Sequence, residues 1–275
     1  MPQHAQEVAA GERFEFGKNW ARFLSTLRDE RIERAQGSVR TMLGADRLTG
    51  RRFLDLGCGS GLFSLAARRL GARVYSVDFD PHSVACANEL RRRYFPDDED
   101  WQIEEGSALD ADYLKSLGLF DVVYSWGVLH HTGAMWEALA NAAIPVARGG
   151  QLFVSIYNDQ GTASKRWLAV KRLYNRFPSG LRFVVLIPAM VHLWWRRWVK
   201  DLLRLRPFES WRRDGQERGM SAWYDVVDWV GGYPFEVAKP DEIFEFYRAR
   251  GFQLEKLVTC GGSLGCNEFV FRRIE

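Results

Sequence analysis

Apolar positions recur along the chain with two periods, and each change of period marks an element. Phe16, Trp20, Phe23, Leu24 and Leu27 step by three and four residues; Ile32, Val39, Met42 and Leu43 do the same before Gly44. That spacing predicts two N-terminal helices. From Arg52 onward, short apolar runs alternate with helical patterns. Phe53–Leu56, Val74–Val77, a run at Ile103, Phe120–Ser125 and Leu152–Tyr157 read as buried strands. Between them, Leu62–Leu70 closed by Gly71, a stretch opening at Pro81, and Ala134–Val146 followed by a Gly149-Gly150 turn read as helices. Such alternation predicts an α/β fold, a doubly wound, mostly parallel sheet with helices on both faces.

The alternation breaks at Asn158–Gly232, which has helical patches and Trp-Arg clusters and ends in WYDVVDWVGGYPFE. It then resumes with a helix over Asp241–Arg250 and strands over Gln253–Thr259 and Glu268–Arg272. Gly261-Gly262 between those strands predicts an antiparallel return at the sheet edge. The expected division is a helical cap over 1–50, a core over 51–157, a helical insertion over 158–235, and completion of the core over 236–275.

Composition adds limits. With 47% hydrophobic and 27% charged residues, the chain is not wholly disordered. A net charge of +3 is too small to announce a nucleic-acid binder. Yet Ser164–Arg218 holds 14 Lys or Arg against 4 Asp or Glu, a local +10 that leaves −7 elsewhere. Much of the Trp content lies in or beside that stretch. Cys58, Cys86, Cys260 and Cys266 show neither CxxC spacing nor secreted-scaffold density, so no metal is expected; Cys260 and Cys266 read as buried hydrophobes. The N-terminus lacks a signal-peptide pattern, and the apolar run Phe183–Trp195 falls short of the ~20 residues of a spanning helix. A reduced, cytoplasmic protein is expected.

The main chemical signal is FLDLGCGSGLFSLAARRLGARVYSVDFD. A buried strand enters Gly57-Cys58-Gly59-Ser60-Gly61 and a helix follows, so backbone approaches a ligand closely and helix N–H groups face it. Asp78, about twenty residues on at the next strand end, is placed for ribose hydroxyls. The spacing GxGxG differs from the dinucleotide GxGxxG, and Asp55 inside the first strand can take the ammonium of an amino acid. At these residues the chain resembles the class I S-adenosylmethionine-dependent methyltransferases, over Arg52–Tyr157 and Pro240–Arg273.

The resemblance implies a strand order of 3-2-1-4-5-7-6 and S-adenosyl-L-methionine as cofactor, with S-adenosyl-L-homocysteine as product. It assigns Asp55, Gly57, Cys58 and Gly59 to the loop around the methionine part, Asp78 to the ribose, and Phe79 to the adenine face. Ser107 and Ala108 fall at the adenine edge, where the family usually has Asp at the position of Ser107. FDVVYSWGVLHHTG matches the fourth-strand motif and places Trp126 and Val128 near the cofactor. The nearest subgroup is the quinol and small-molecule methyltransferases with a motif of the form EVLEHV. Its His falls at His131, while Gly127 and His130 replace its glutamates, so no metal is implied.

Methyl transfer to a hydroxyl needs alignment and a proton acceptor, and His131, then His130, are the candidates; packing against the next helix is the other reading of both. Asn19 and Trp20 suit a flap over the cofactor or ordinary helix packing. The insertion reads in four ways: a lid around an apolar or aromatic acceptor with arginines for an anionic group, an interfacial helix over Leu181–Leu205, a nucleic-acid surface, or a plain two-helix cap. Tyr157 and Asn158 at the fifth strand end, with Tyr224, Asp225, Asp228 and Tyr233 in the returning segment, are the acceptor candidates. Methyl transfer to a small molecule, at oxygen, is the expected activity. A tRNA or rRNA methyltransferase and a non-catalytic cofactor-binding protein are the rivals.

Overall fold

A computed structural model describes residues 3–17, 20, 24, 27–207, 209–211, 222–262 and 264–275, without the side chains of Ala222, Tyr224 and Asp225. Its centre is a seven-stranded sheet in the order β3-β2-β1-β4-β5-β7-β6. The strands are β1 (Arg52–Leu56), β2 (Arg73–Asp78), β3 (Trp101–Glu105), β4 (Phe120–Trp126), β5 (Val146–Tyr157), β6 (Phe252–Val258) and β7 (Cys266–Arg273). All pairings among the first five are parallel, whereas β7 runs antiparallel to both β5 and β6. The expected antiparallel return is present, with β6 at the edge.

The helices are α1 (Gln3–Ala9), α2 (Asp29–Leu43), α3 (Leu62–Arg69), α4 (Pro81–Tyr94), α5 (Ala111–Ser116), α6 (Met135–Ala142), α7 (Thr162–Arg176), α8 (Phe183–Leu203), α9 (Ala222–Gly231) and α10 (Pro240–Arg248). Both sheet faces are dry because successive strand residues alternate between two apolar layers. Phe53, Tyr124 and Phe153 pack with α2, α3 and α4 through Ile32, Val39, Leu65 and Leu90. Leu54, Leu56 and Val123 pack with α5, α6 and α10 through Leu114, Leu139 and Tyr247. A third cluster joins α7, α8 and α9 to Phe14 and Phe235.

Two expectations need correction. The helix placed over Ala134–Val146 ends at Ala142, and β5 begins at Val146 rather than Leu152. Pro145 explains this, since the residue before proline avoids helical backbone. Gly149-Gly150 does turn the chain, but as a bulge inside β5: the register shifts from Phe120↔Val146 to Val122↔Gln151. Cys260 and Cys266 are only partly buried; Cys266 opens β7 opposite Tyr157, at the sheet end that borders the cleft.

Candidate functional site

The glycine loop is fixed from both sides. Gly57 and Cys58 donate their N–H groups to the Val77 carbonyl at 2.7 and 3.0 Å, tying the loop to the end of β2. Gly57 has φ +83°, and a Cβ there would sit 2.3 Å from Val128 Cγ1. A Cβ on Gly59 would lie 3.3 Å from the Trp20 indole, so Trp20 covers the loop. Asn19, the other residue of the expected flap, lies outside the described residues.

Two carboxylates face this loop, Asp55 buried and Asp78 half-buried. Asp78 accepts from the Gly59 amide at 2.8 Å through Oδ2 and from the Asp80 amide at 2.9 Å through Oδ1. Burial pushes its carboxyl up to about 6, against the pull of those amides and of Arg13. Asp55 is 3% exposed and accepts from Ser64 Oγ at 2.5 Å. Burial, reinforced by the charge of Asp78, pushes it up to about 7. Two desolvated acids on one cleft suit a ligand that brings an ammonium and paired hydroxyls, which would restore the solvation they lack.

Next to Asp78, Phe79 meets the His4 ring edge-on at 5.6 Å and the Arg13 guanidinium at 5.1 Å. Beyond β3, the Gly106 amide donates to the Asp78 carbonyl at 3.0 Å. Ser107 Oγ accepts from the Leu109 amide at 3.1 Å, and the Ala108 carbonyl accepts from Asn141 at 3.1 Å. All of these residues except the buried Asn141 line one cleft of about 1220 Å³.

The other wall is the end of β4. Trp126 leans on Phe63, with centroids 5.7 Å apart, and donates its indole N–H to Glu268 at 2.9 Å. Val128 seats on Gly57, and a 3₁₀ turn over Leu129–His131 follows. His131 Nδ1 lies 2.6 Å from the Pro234 carbonyl oxygen. A carbonyl can only accept, so Nδ1 carries the proton and Nε2 keeps its lone pair. Burial, with the charges of Lys171 and Arg13 adding to it, drives the imidazole down from 6.5 to about 3, although the Pro234 bond opposes this. Arg13 Nη1 donates to the His131 carbonyl at 3.0 Å and holds the turn from the N-terminal side. His131 lines the cleft. His130 is fully buried against Tyr157, ring centroids 4.0 Å apart, neither ring nitrogen has a well-formed hydrogen bond, and it is off the cleft lining.

The roof comes from the insertion. Leu193, Trp194 and Arg197 of α8, and Val226, Asp228 and Trp229 of α9, line the same cleft together with Tyr157. Tyr157 packs on Trp229 and Phe235, each with centroids 5.3 Å away. Lys171 of α7 is buried beneath, donating to the Trp229 carbonyl, with Nζ 4.4 Å from that indole's centroid. Burial pulls its ammonium down to about 7, and the charge of Asp228 pulls the other way.

Of the acceptor candidates, Tyr157 and Asp228 are on the lining. Asn158 instead accepts from Asn267 Nδ2 at 3.0 Å, and Tyr233 gives its carbonyl to the Phe14 amide at 2.8 Å; both are off the lining. Tyr224 and Asp225 sit on α9, and their side chains lie outside the described residues. Sequence reasoning missed Arg13, Glu268, the Pro234 carbonyl and Phe16, whose ring lines the cleft 5.1 Å from that of His131; none of them carries a local signal. Among the described residues, no three His, Cys, Asp or Glu side chains gather as a metal site.

The family described as "Methyltransferase domain" matches residues 23–221. The tRNA U34 carboxymethyltransferase of Pseudomonas aeruginosa (strain LESB58) is 33% identical over 154 residues, covering 54% of this chain and 45% of that protein. The chain therefore spans less than half the length of that relative. In structure, the magnesium protoporphyrin IX methyltransferase of Synechocystis PCC 6803 superposes with a TM-score of 0.56 at 15% identity, covering 93% of each chain. The 1,6-didemethyltoxoflavin-N1-methyltransferase of Burkholderia thailandensis gives 0.51 at 15% identity, covering 100% of this chain and 91% of its own. The glycine loop, the acids at the ends of β1 and β2, and the family match over most of the chain lead to one conclusion: the chain belongs to the methyltransferase-domain family, and it shares its fold with methyltransferases crystallised with S-adenosylmethionine or S-adenosylhomocysteine.

Proposed function

We propose that the protein methylates oxygen on a small organic acceptor, largely apolar or aromatic and carrying an anionic group. The single observation behind this reading is His131, whose Nε2 lone pair is left free by the Pro234 carbonyl in the wall that Val128 shares with the glycine loop. The roof residues Leu193, Trp194, Val226 and Trp229 suit an apolar acceptor, and Arg197 among them suits its anionic group.

In this reading Asp55, Gly57, Cys58 and Gly59 hold the methionine part of S-adenosylmethionine, Asp78 its ribose, and Phe79, Ser107 and Ala108 its adenine. Trp126 borders the sulfur side. When bound, that cofactor supplies an electrophilic methyl on a sulfonium, which departs as a neutral thioether with the electrons of the broken C–S bond. His131 Nε2 accepts the hydrogen bond of the acceptor hydroxyl and so aims an oxygen lone pair at the methyl. As the O–C bond forms, the oxygen turns strongly acidic, and even a weakly basic imidazole then takes its proton. Tyr157, packed 5.4 Å from the His131 ring, keeps that ring in place.

A second reading, transfer to tRNA, has the curated relatives in its favour. Incubation with methyl-labelled S-adenosylmethionine and separated fractions of small metabolites, lipids and nucleic acids decides between them. Label in a metabolite or lipid, lost in His131→Asn, supports the proposal; label confined to tRNA overturns the acceptor class.

A further inference from the structure

The helix α8 has two working faces. Inward, Val185, Leu186, Ala189 and Trp194 belong to the insertion's core, and Leu193, Trp194 and Arg197 roof the cleft. Outward, Val184, Ile187, Val191, Trp195, Val199 and Leu202 step by three and four residues and are between 41% and 66% exposed. With 21 residues, the helix carries this stripe along about 30 Å. A water-facing helix surface is normally polar, and an apolar stripe of this length marks a place that something covers.

The charges around it indicate what. Asp201 is the one acid in Phe183–Leu203, and it is buried and spent on Ser210, accepting from its amide at 2.8 Å and its hydroxyl at 2.6 Å. Arg196, Lys200 and Arg204 are exposed along the same helix end, so what remains beside the stripe is cationic. The stretch Ser164–Arg218 carries +10. Two copies facing each other across this surface would bring those charges together, which opposes self-association. Among the described residues, no helix is long and apolar enough to cross a membrane. We infer that α8 lies flat on an anionic lipid surface, with its apolar stripe among the acyl chains and Arg196, Lys200 and Arg204 at the headgroups.

Flotation of the full chain with phosphatidylcholine vesicles containing phosphatidylglycerol, and with phosphatidylcholine alone, tests this. The protein should float with the anionic vesicles, in a salt-sensitive way, and far less with the neutral ones. Val191→Asp puts a charge in the stripe and should weaken partitioning at least about tenfold. Arg196→Ala and Lys200→Ala leave the stripe intact and should each weaken it about fivefold. Unchanged cofactor binding in the variants shows that the fold survives. No flotation, equal partition into both vesicle types, or indifference to Val191→Asp overturns the inference. So does a dimer that Val191→Asp dissociates while vesicles are ignored.

Discussion

Replacing His131 with asparagine separates its two nitrogens. Asparagine can keep an N–H near the place of Nδ1, so the Pro234 carbonyl retains a donor, but it has nothing at the place of Nε2. A shift from 6.5 to about 3 favours the neutral imidazole by about 5 kcal/mol over its state in water. Near neutral pH the ring is thus an uncharged acceptor, and the pH–rate profile should show no histidine limb between about pH 5 and 8. Removal of a positioned proton acceptor lowers kcat about 10²- to 10⁴-fold, equivalent to about 3–5 kcal/mol of barrier. Cofactor affinity should be unaffected, since the cofactor is assigned to Asp55, Asp78 and the glycine loop. The assay is initial rates across pH with calorimetric cofactor binding beside it. The sign of the linked stability is fixed as well. The folded pKa is depressed, so the contribution is present above pH 6.5 and is lost as pH falls toward 3. A variant within about threefold of wild-type kcat, or a wild-type limb near 6.5 that the variant removes, would refute the role and the tautomer together.

Gly57→Ala combines a positive φ with a Cβ that meets Val128, and should lose about 2–4 kcal/mol in urea unfolding. Adding Val128→Ala should restore the crowding part, and a double variant no more stable than the single one argues against that contact. Asp78→Asn should weaken cofactor binding about 10- to 100-fold. The folded carboxyl is raised to about 6, so the free protein's linked stability is present below 3.8 and lost as pH rises through 6. An unfolding series whose slope is the same in wild type and variant disproves the shift. Lys171 is depressed to about 7, so its contribution is present above 10.5 and lost as pH falls through 7. Lys171→Met should therefore gain on wild type as pH drops, by up to about 5 kcal/mol between those limits. A difference constant with pH would contradict a strained buried ammonium.

What the chain announces locally is what could be read from it. The glycine loop, Asp55, Asp78 and the strand-end motif at Trp126 depend on contiguous residues, because a buried parallel strand is one apolar run and the loop is its end. The remainder of the site is long-range. Arg13 reaches the His131 carbonyl across 118 residues, Pro234 reaches its ring across 103, and Glu268 reaches Trp126 across 142. No periodicity encodes such pairs. His130 and His131 look alike in sequence, yet the 3₁₀ turn sends one ring into the core and the other to the cleft. Polar residues in the returning segment suggested acceptor contacts, but Tyr233 acts there through its backbone, which side-chain chemistry cannot foretell.

The Pro234 carbonyl has a consequence for anyone rebuilding this enzyme. The insertion is a natural unit to exchange when a new acceptor is wanted, and its end near residue 235 looks like a convenient splice point. A graft taken that far would import a foreign pocket and at the same time discard the group that sets the protonation pattern of His131. Recombination should stop at Asp228, before Gly232, so that the chain from Tyr233 onward stays with the host. With His131 as the proposed proton acceptor, the joint between specificity and chemistry is a single backbone oxygen, and a chimera should keep its turnover only if that oxygen stays where it is.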